Sequence, residues 1–153
     1  MDNIRQIALK TFEITCYMFP LEEWELEDYE QDARQKASIK AVVEFEGASE
    51  GAMVIAPSQN LLENIAANML GTDETDQSQR EGALGEIANI ICGNAAPLFS
   101  DSEEICYIVP PRIFEIGENT DRLYEGMSKQ SLELKFDEGE AEILIYLKQM
   151  VSS

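Results

Sequence analysis

The chain has 153 residues, 44% of them hydrophobic, enough for one domain with a real core. Its net charge of −19 sets it against phosphate backbones and anionic lipid headgroups, so nucleic-acid and anionic-membrane partners are not expected. It contains no histidine, which removes His-based acid–base catalysis, Ser-His-Asp triads and His-ligated metal sites together.

Five tyrosines, six phenylalanines and one tryptophan argue for order despite the charge. Most of the carboxylates read as solubilising. The densest stretch, Glu22 to Glu30, is interrupted by Trp24, Leu26 and Tyr29 and reads as a solvated connection. The opening Met-Asp-Asn-Ile-Arg has no basic region before an apolar block, so no signal peptide is expected, and no apolar run approaches a membrane span. Three cysteines without metal-like spacing fit reduced thiols in a cytoplasm.

Helical spacing of Ile4, Ile7, Ala8, Thr11, Thr15, Met18 and Phe19 predicts a first helix over about residues 2–18, ended by Pro20. Residues 37–46 alternate and are β-rich, Gly47 to Gly51 is turn-like, and 52–56 returns as a second strand. Ser58 is placed to cap a second helix with Leu61, Leu62, Ile65, Met69 and Leu70 on its apolar face, stopped by Gly71. After a polar loop over 72–77, a third helix runs from about Ser78 to Phe99, with Pro97 able to end it earlier. Ile105 to Val109 reads as a strand reaching Pro110 and Pro111, with 113–116 as its possible continuation. Residues 132–136 and 141–147 form a hairpin over Asp137 to Glu140. The order predicts an α+β domain with a largely antiparallel sheet packed with helices.

Glu86 and Asn89 are the candidate functional residues. Three apart, they share one face of the third helix, while Leu84, Ile87, Ile91 and Leu98 fall on the other side. Gly82, Gly93 and Ala96 surround the pair and leave that face without bulk. Gly82, Gly85 and Gly93 each cost a helix about 1 kcal/mol relative to alanine. Close helix packing explains such glycines as well as an approaching partner does. An acid and an amide at the centre of the face favour the partner. Glu13-Ile14 faintly echoes Glu86-Ile87, with Cys16 where the echo would place Asn89.

Gly85-Glu-Ile-Ala-Asn-Ile-Ile-Cys-Gly-Asn94 resembles the signature helix of the CheX-like phosphatases of bacterial chemotaxis, a family related to CheC and to the phosphatase part of the flagellar switch protein FliY. The family pattern adds a proline more than twenty residues later, where this chain has Pro110 and Pro111. Relatives often carry Asp or Ser four residues before the Glu, where this chain has Gly82.

The resemblance implies a CheC/CheX-like fold, a single CheX-like domain over 1–153, and a homodimer. It implies a phosphorylated CheY-like response regulator as substrate. Asn89 would position the attacking water, and Glu86 would dock to a regulator lysine. Mg²⁺ would belong to the regulator, with no cofactor or metal held by this chain. The alternative in a different class is a non-catalytic module that binds a response regulator or another signalling protein through the same helix, which Gly82 keeps open. A third pattern, Cys106-x5-Arg112, has the spacing of cysteine-dependent phosphatases. It lacks glycine, and its two prolines carry no N–H for a phosphate loop, so chance spacing in a buried strand is the better account. Cys16 and Cys92 read as small, partly buried hydrophobes.

Overall fold

A computed structural model describes residues 2–28, 35–99 and 105–148; residues 29 and 30 of the acidic stretch lie outside them. The elements run α1 (Asp2–Cys16), a 3-10 turn (Glu23–Asp28), β1 (Ile39–Gly47), β2 (Gly51–Pro57), α2 (Gln59–Leu70), α3 (Gln77–Ala95), a second 3-10 turn (Ala96–Phe99), β3 (Cys106–Ile108), β4 (Arg112–Glu115), α4 (Thr120–Leu123), β5 (Ser128–Phe136) and β6 (Gly139–Leu147). The α+β class and the antiparallel sheet are as the sequence predicts. The strands form one six-stranded sheet in the order β3-β1-β2-β6-β5, with β4 also pairing β1, and every one of these pairings is antiparallel.

Period-two alternation decides the layers. Ala41, Val43 and Phe45 of β1, Met53 and Ile55 of β2, Leu132, Leu134 and Phe136 of β5, and Ile143 and Ile145 of β6 join the core beneath α1, α2 and α3. Their neighbours Val42, Ala52, Val54 and Tyr146 turn to the opposite face and pack with Tyr124. There Tyr124 donates to Glu44, which also holds Arg112 at 2.6 Å, and Tyr146 donates to Asp121. These bonds tie α4 to the outer face of the sheet.

Ser58 caps α2 as predicted, accepting from Leu61 N–H at 3.3 Å, and its hydroxyl also accepts from Glu140 N–H across the sheet edge at 3.1 Å. Gly71 ends α2 at φ +70°, where a side chain would be strained. The first helix stops earlier than predicted. Tyr17 takes φ +58°, and the chain leaves the helix there, before Pro20. Phe12 and Cys16 reach the core instead of Phe19, which is exposed. Residues 113–116 do not extend the preceding strand: β4 is separate. Pro110 and Pro111 offer no N–H to the β1 ladder, so pairing breaks between Val109 and Arg112.

Candidate functional site

Helix α3 carries the candidate pair, and its rotation is set by what it buries. Leu84, Ile87 and Ile91, with Ala83, Ala88, Cys92 and Ala95, lie in the core. Burying one large aliphatic side chain contributes ~1.5–3 kcal/mol, so three of them outweigh roughly 3 kcal/mol lost to the helix glycines. The N-terminus is locked by a capping box. Asp76 accepts from Gln79 N–H at 2.8 Å, and Gln79 Oε1 accepts from Asp76 N–H at 2.9 Å. The Asp76-x-x-Gln79 spacing was the readable signal for this start, one residue before the Ser78 prediction.

With that rotation, Glu86 and Asn89 both point to solvent, about 60° apart around the axis at ~100° per residue. Neither side chain hydrogen-bonds or ion-pairs with another described residue. An amide and a carboxylate left unpaired side by side can accept from water and bind a cation, respectively.

The glycines divide between the two explanations left open by the sequence. Gly82 is exposed, and a methyl there would meet nothing within 4 Å. Gly85 is buried, and a methyl there would lie 3.5 Å from Pro111 Cγ. Gly93 is exposed on one side and meets Ile108 Cδ1 at 3.5 Å on the other. Gly82 therefore clears the face, Gly85 lets the Pro110-Pro111 segment approach, and Gly93 does some of each. Two placements are corrected. Ala96 is buried and does not border the pair, and Leu98 is half exposed. Ala96 still keeps helical dihedrals and donates its N–H to Cys92 O, whereas Leu98 lies in the tighter 3-10 turn Ala96–Phe99, where the α-helical phase no longer holds.

Cys106 and Arg112 do not form a phosphate loop. They pair with Gly47 and Val42 of β1, five residues apart, or roughly 16 Å along a strand. Cys16 and Cys92 are fully buried, and burial pushes both thiols up to about 12, so they stay neutral. Cys16, the echo of Asn89, thus faces inward, and Glu13 pairs with Lys10. Among the described residues no three His, Cys, Asp or Glu side chains converge as metal ligands.

The chain belongs to the CheX family: the family described as chemotaxis phosphatase CheX matches residues 39–136, from β1 through α3 to the end of β5. Solved structures agree in fold. The CheX chain in the CheX-CheY-BeF3-Mg²⁺ complex from Borrelia burgdorferi is 16% identical, with 97% of each chain covered and a TM-score of 0.68. The chemotaxis protein CheX from Desulfovibrio desulfuricans is 17% identical over 96% of this chain and 97% of that one, with a TM-score of 0.72. CheX from Vibrio vulnificus is 19% identical over 97% and 95%, also at 0.72. Among curated proteins none matches significantly.

Because Gly82 faces open space in mid-helix, Gly82→Ala is expected to stabilise the fold by about 1 kcal/mol. Urea unfolding measures this, and a lower midpoint for the variant would contradict the open surroundings assigned to it.

Proposed function

We propose that this chain is a phosphatase for the aspartyl phosphate of a CheY-like response regulator. The observation that carries the reading is the pair itself: Glu86 and Asn89 are exposed, adjacent, unpaired within the described chain, and flanked by Gly82 where a docked surface would lie. Membership of the CheX family and the solved CheX-CheY complex of a relative support it.

An acyl phosphate is already activated, so hydrolysis needs no covalent enzyme nucleophile. It needs one water held in line with the bond to be broken. Asn89 Oδ1 accepts a hydrogen bond from that water while Nδ2 donates to a neighbouring oxygen. The water oxygen bonds to phosphorus, the bond from phosphorus to the aspartyl oxygen breaks, and inorganic phosphate and a free carboxylate result. Glu86 pairs with a lysine beside the phosphoaspartate and fixes the register of the docked helix. The divalent cation that offsets phosphate charge belongs to the regulator. Glu86 and Asn89 offer one carboxylate and one amide, too few ligands to hold it alone.

A homodimer is part of the same proposal. In the described chain β3 pairs only with β1, and Ile105, Tyr107 and Val109 beside it are exposed, so a second copy has both backbone and apolar surface to meet. The free thiols suit a reducing compartment such as the cytoplasm.

Asn89→Ala is expected to slow stimulated phosphate release by ~100-fold, the scale of losing one positioned polar group. A panel of phosphorylated receiver domains measures this, and equal rates for variant and wild type would remove Asn89 from the chemistry. If the wild type binds receivers without accelerating release from any of them, the chain is a binding module instead. Glu86→Ala should raise the Kd for a receiver carrying beryllium fluoride by about tenfold; an unchanged titration curve would dismiss the lysine pairing. Tyr107→Lys should shift the chain to monomers in sedimentation equilibrium, whereas a monomeric wild type would refute the dimer.

A further inference from the structure

Helix α1 changes character along its outward side. Ile4, Ala8, Thr11, Phe12 and Cys16 enter the core, which leaves Asn3, Gln6, Lys10 and Ile14 exposed at helical spacing. This row is polar until Ile14, which is 65% exposed. Tyr17 and Phe19, just past the end of the helix, are 73% and 62% exposed. A groove of about 450 Å³ runs between α1 and the chain that follows it. Half-buried Ile7 and Leu9 line it together with Phe19 and Pro20, and Lys10 and Glu13 border it.

Tyr17 adds a second observation. Its φ of +58° belongs to a helix-ending conformation that glycine normally supplies. Its N–H donates to Glu13 O at 3.1 Å, and Met18 N–H donates to Phe12 O at 3.3 Å, so the chain turns out of α1 through a left-handed cap. A tyrosine strains that cap, and its exposed ring gains no burial within the described chain to offset the strain. Single exposed apolar residues are ordinary. Ile14, Tyr17 and Phe19, close together in the chain and next to an apolar groove, form the kind of patch that marks an interface.

The charges around the patch select its occupant. Both basic residues of α1 are engaged: Arg5 Nη1 donates to Glu133 O at 2.7 Å, and Lys10 pairs with Glu13 at 3.5 Å. The last turn of α1 has no basic residue, so the negative end of its dipole is uncompensated. Exposed Glu22 follows Phe19 by three residues, at most ~11 Å of chain. Glu138 lies near the same helix end, since its charge adds to burial in raising the Cys16 thiol. Over the whole molecule a charge of −19 attracts a basic partner at long range, whereas a second copy would set one acidic rim against another.

We infer that this face of α1 binds an amphipathic helix of another protein, with aliphatic residues along one side and lysine or arginine on the rest. The aliphatic side lies against Ile14, Tyr17 and Phe19 and fills the groove; the basic residues meet Glu22, Glu138 and the end of α1. The inference does not rest on the phosphatase reading. None of these residues lies on α3, and an acidic phosphoacceptor site has the wrong charge for this face.

The probe is a fluorescein-labelled peptide of about 18 residues, with leucines at helical spacing and lysines between them, titrated with the full chain at physiological ionic strength and followed by anisotropy. A peptide with the same leucines and glutamates for lysines is the charge control. Ile14→Ser/Phe19→Ser removes the patch without changing charge, and Leu98→Ser/Leu123→Ser does the same to exposed leucines elsewhere. Wild type should bind the lysine peptide saturably. Ile14→Ser/Phe19→Ser should raise its Kd by about tenfold, with Leu98→Ser/Leu123→Ser within about twofold. Tyr17→Gly, which relieves the cap, should also raise Kd without lowering the urea midpoint, and it decides the matter should the serine pair fail to fold. No binding by wild type, or one Kd for wild type and the patch variants, overturns the inference; the second result means adsorption to acidic surface alone. Equal binding of the glutamate peptide overturns the basic occupant. Wild-type self-association that Ile14→Ser/Phe19→Ser abolishes gives the face to a second copy and overturns it too.

Discussion

The seating of α3 on the sheet decides which residues the candidate face presents. Leu84, Ile87 and Ile91 enter the core and set the helix's rotation; once they are buried, Glu86 and Asn89 have nowhere to point but outward. The helix is a poor one by intrinsic propensity, with three glycines in or beside its centre. Tertiary burial and the Asp76–Gln79 box, rather than local preference, hold it in place. A site built this way is rigid without being covered, since the backbone that carries the pair is anchored from beneath.

The proline pair in the β3–β4 connection makes a second contribution to the same surface. By interrupting the β1 ladder it separates two short strands, and it brings Pro111 against Gly85 on the flank of the helix. Lys40, buried on the outer face of β1, donates to the carbonyls of Ile116 and Glu118 and fixes the chain that follows β4. Desolvation lowers its pKa, and the nearby Glu118 charge opposes that shift.

Electrostatics give the site its particular problem. On the proposed function, an acidic chain that recognises an acidic phosphoacceptor must do so through short-range pairs, because its overall field points the wrong way. Exposed pairs contribute little individually, so recognition depends on how many of them a docked partner satisfies at once and how far each is withdrawn from water. On the same proposal, the small residue at Gly82 leaves room for a docked partner. Close approach strengthens short-range contacts, and a bulky side chain there would hold the partner off.

Much of this was legible in the chain as a string. Alternation in β1, the apolar run of β2, the hairpin of β5 and β6, the Ser58 and Gly71 caps, and the three-residue spacing of Glu86 and Asn89 are local patterns, and local patterns survive folding when burial agrees with them. The α+β class and the outward-facing pair follow from them. Where the first helix ends was decided by Tyr17 adopting a left-handed conformation and by Phe12 and Cys16 competing for the core. Whether Gly85 clears a surface or accommodates a neighbour depended on Pro111, twenty-six residues away in sequence. The burial of Lys40 depended on carbonyls more than seventy residues distant. Spacing along a helix or strand is a property of the backbone, so sequence determines it; which surfaces meet is a property of the packed whole, so only the tertiary structure decides it.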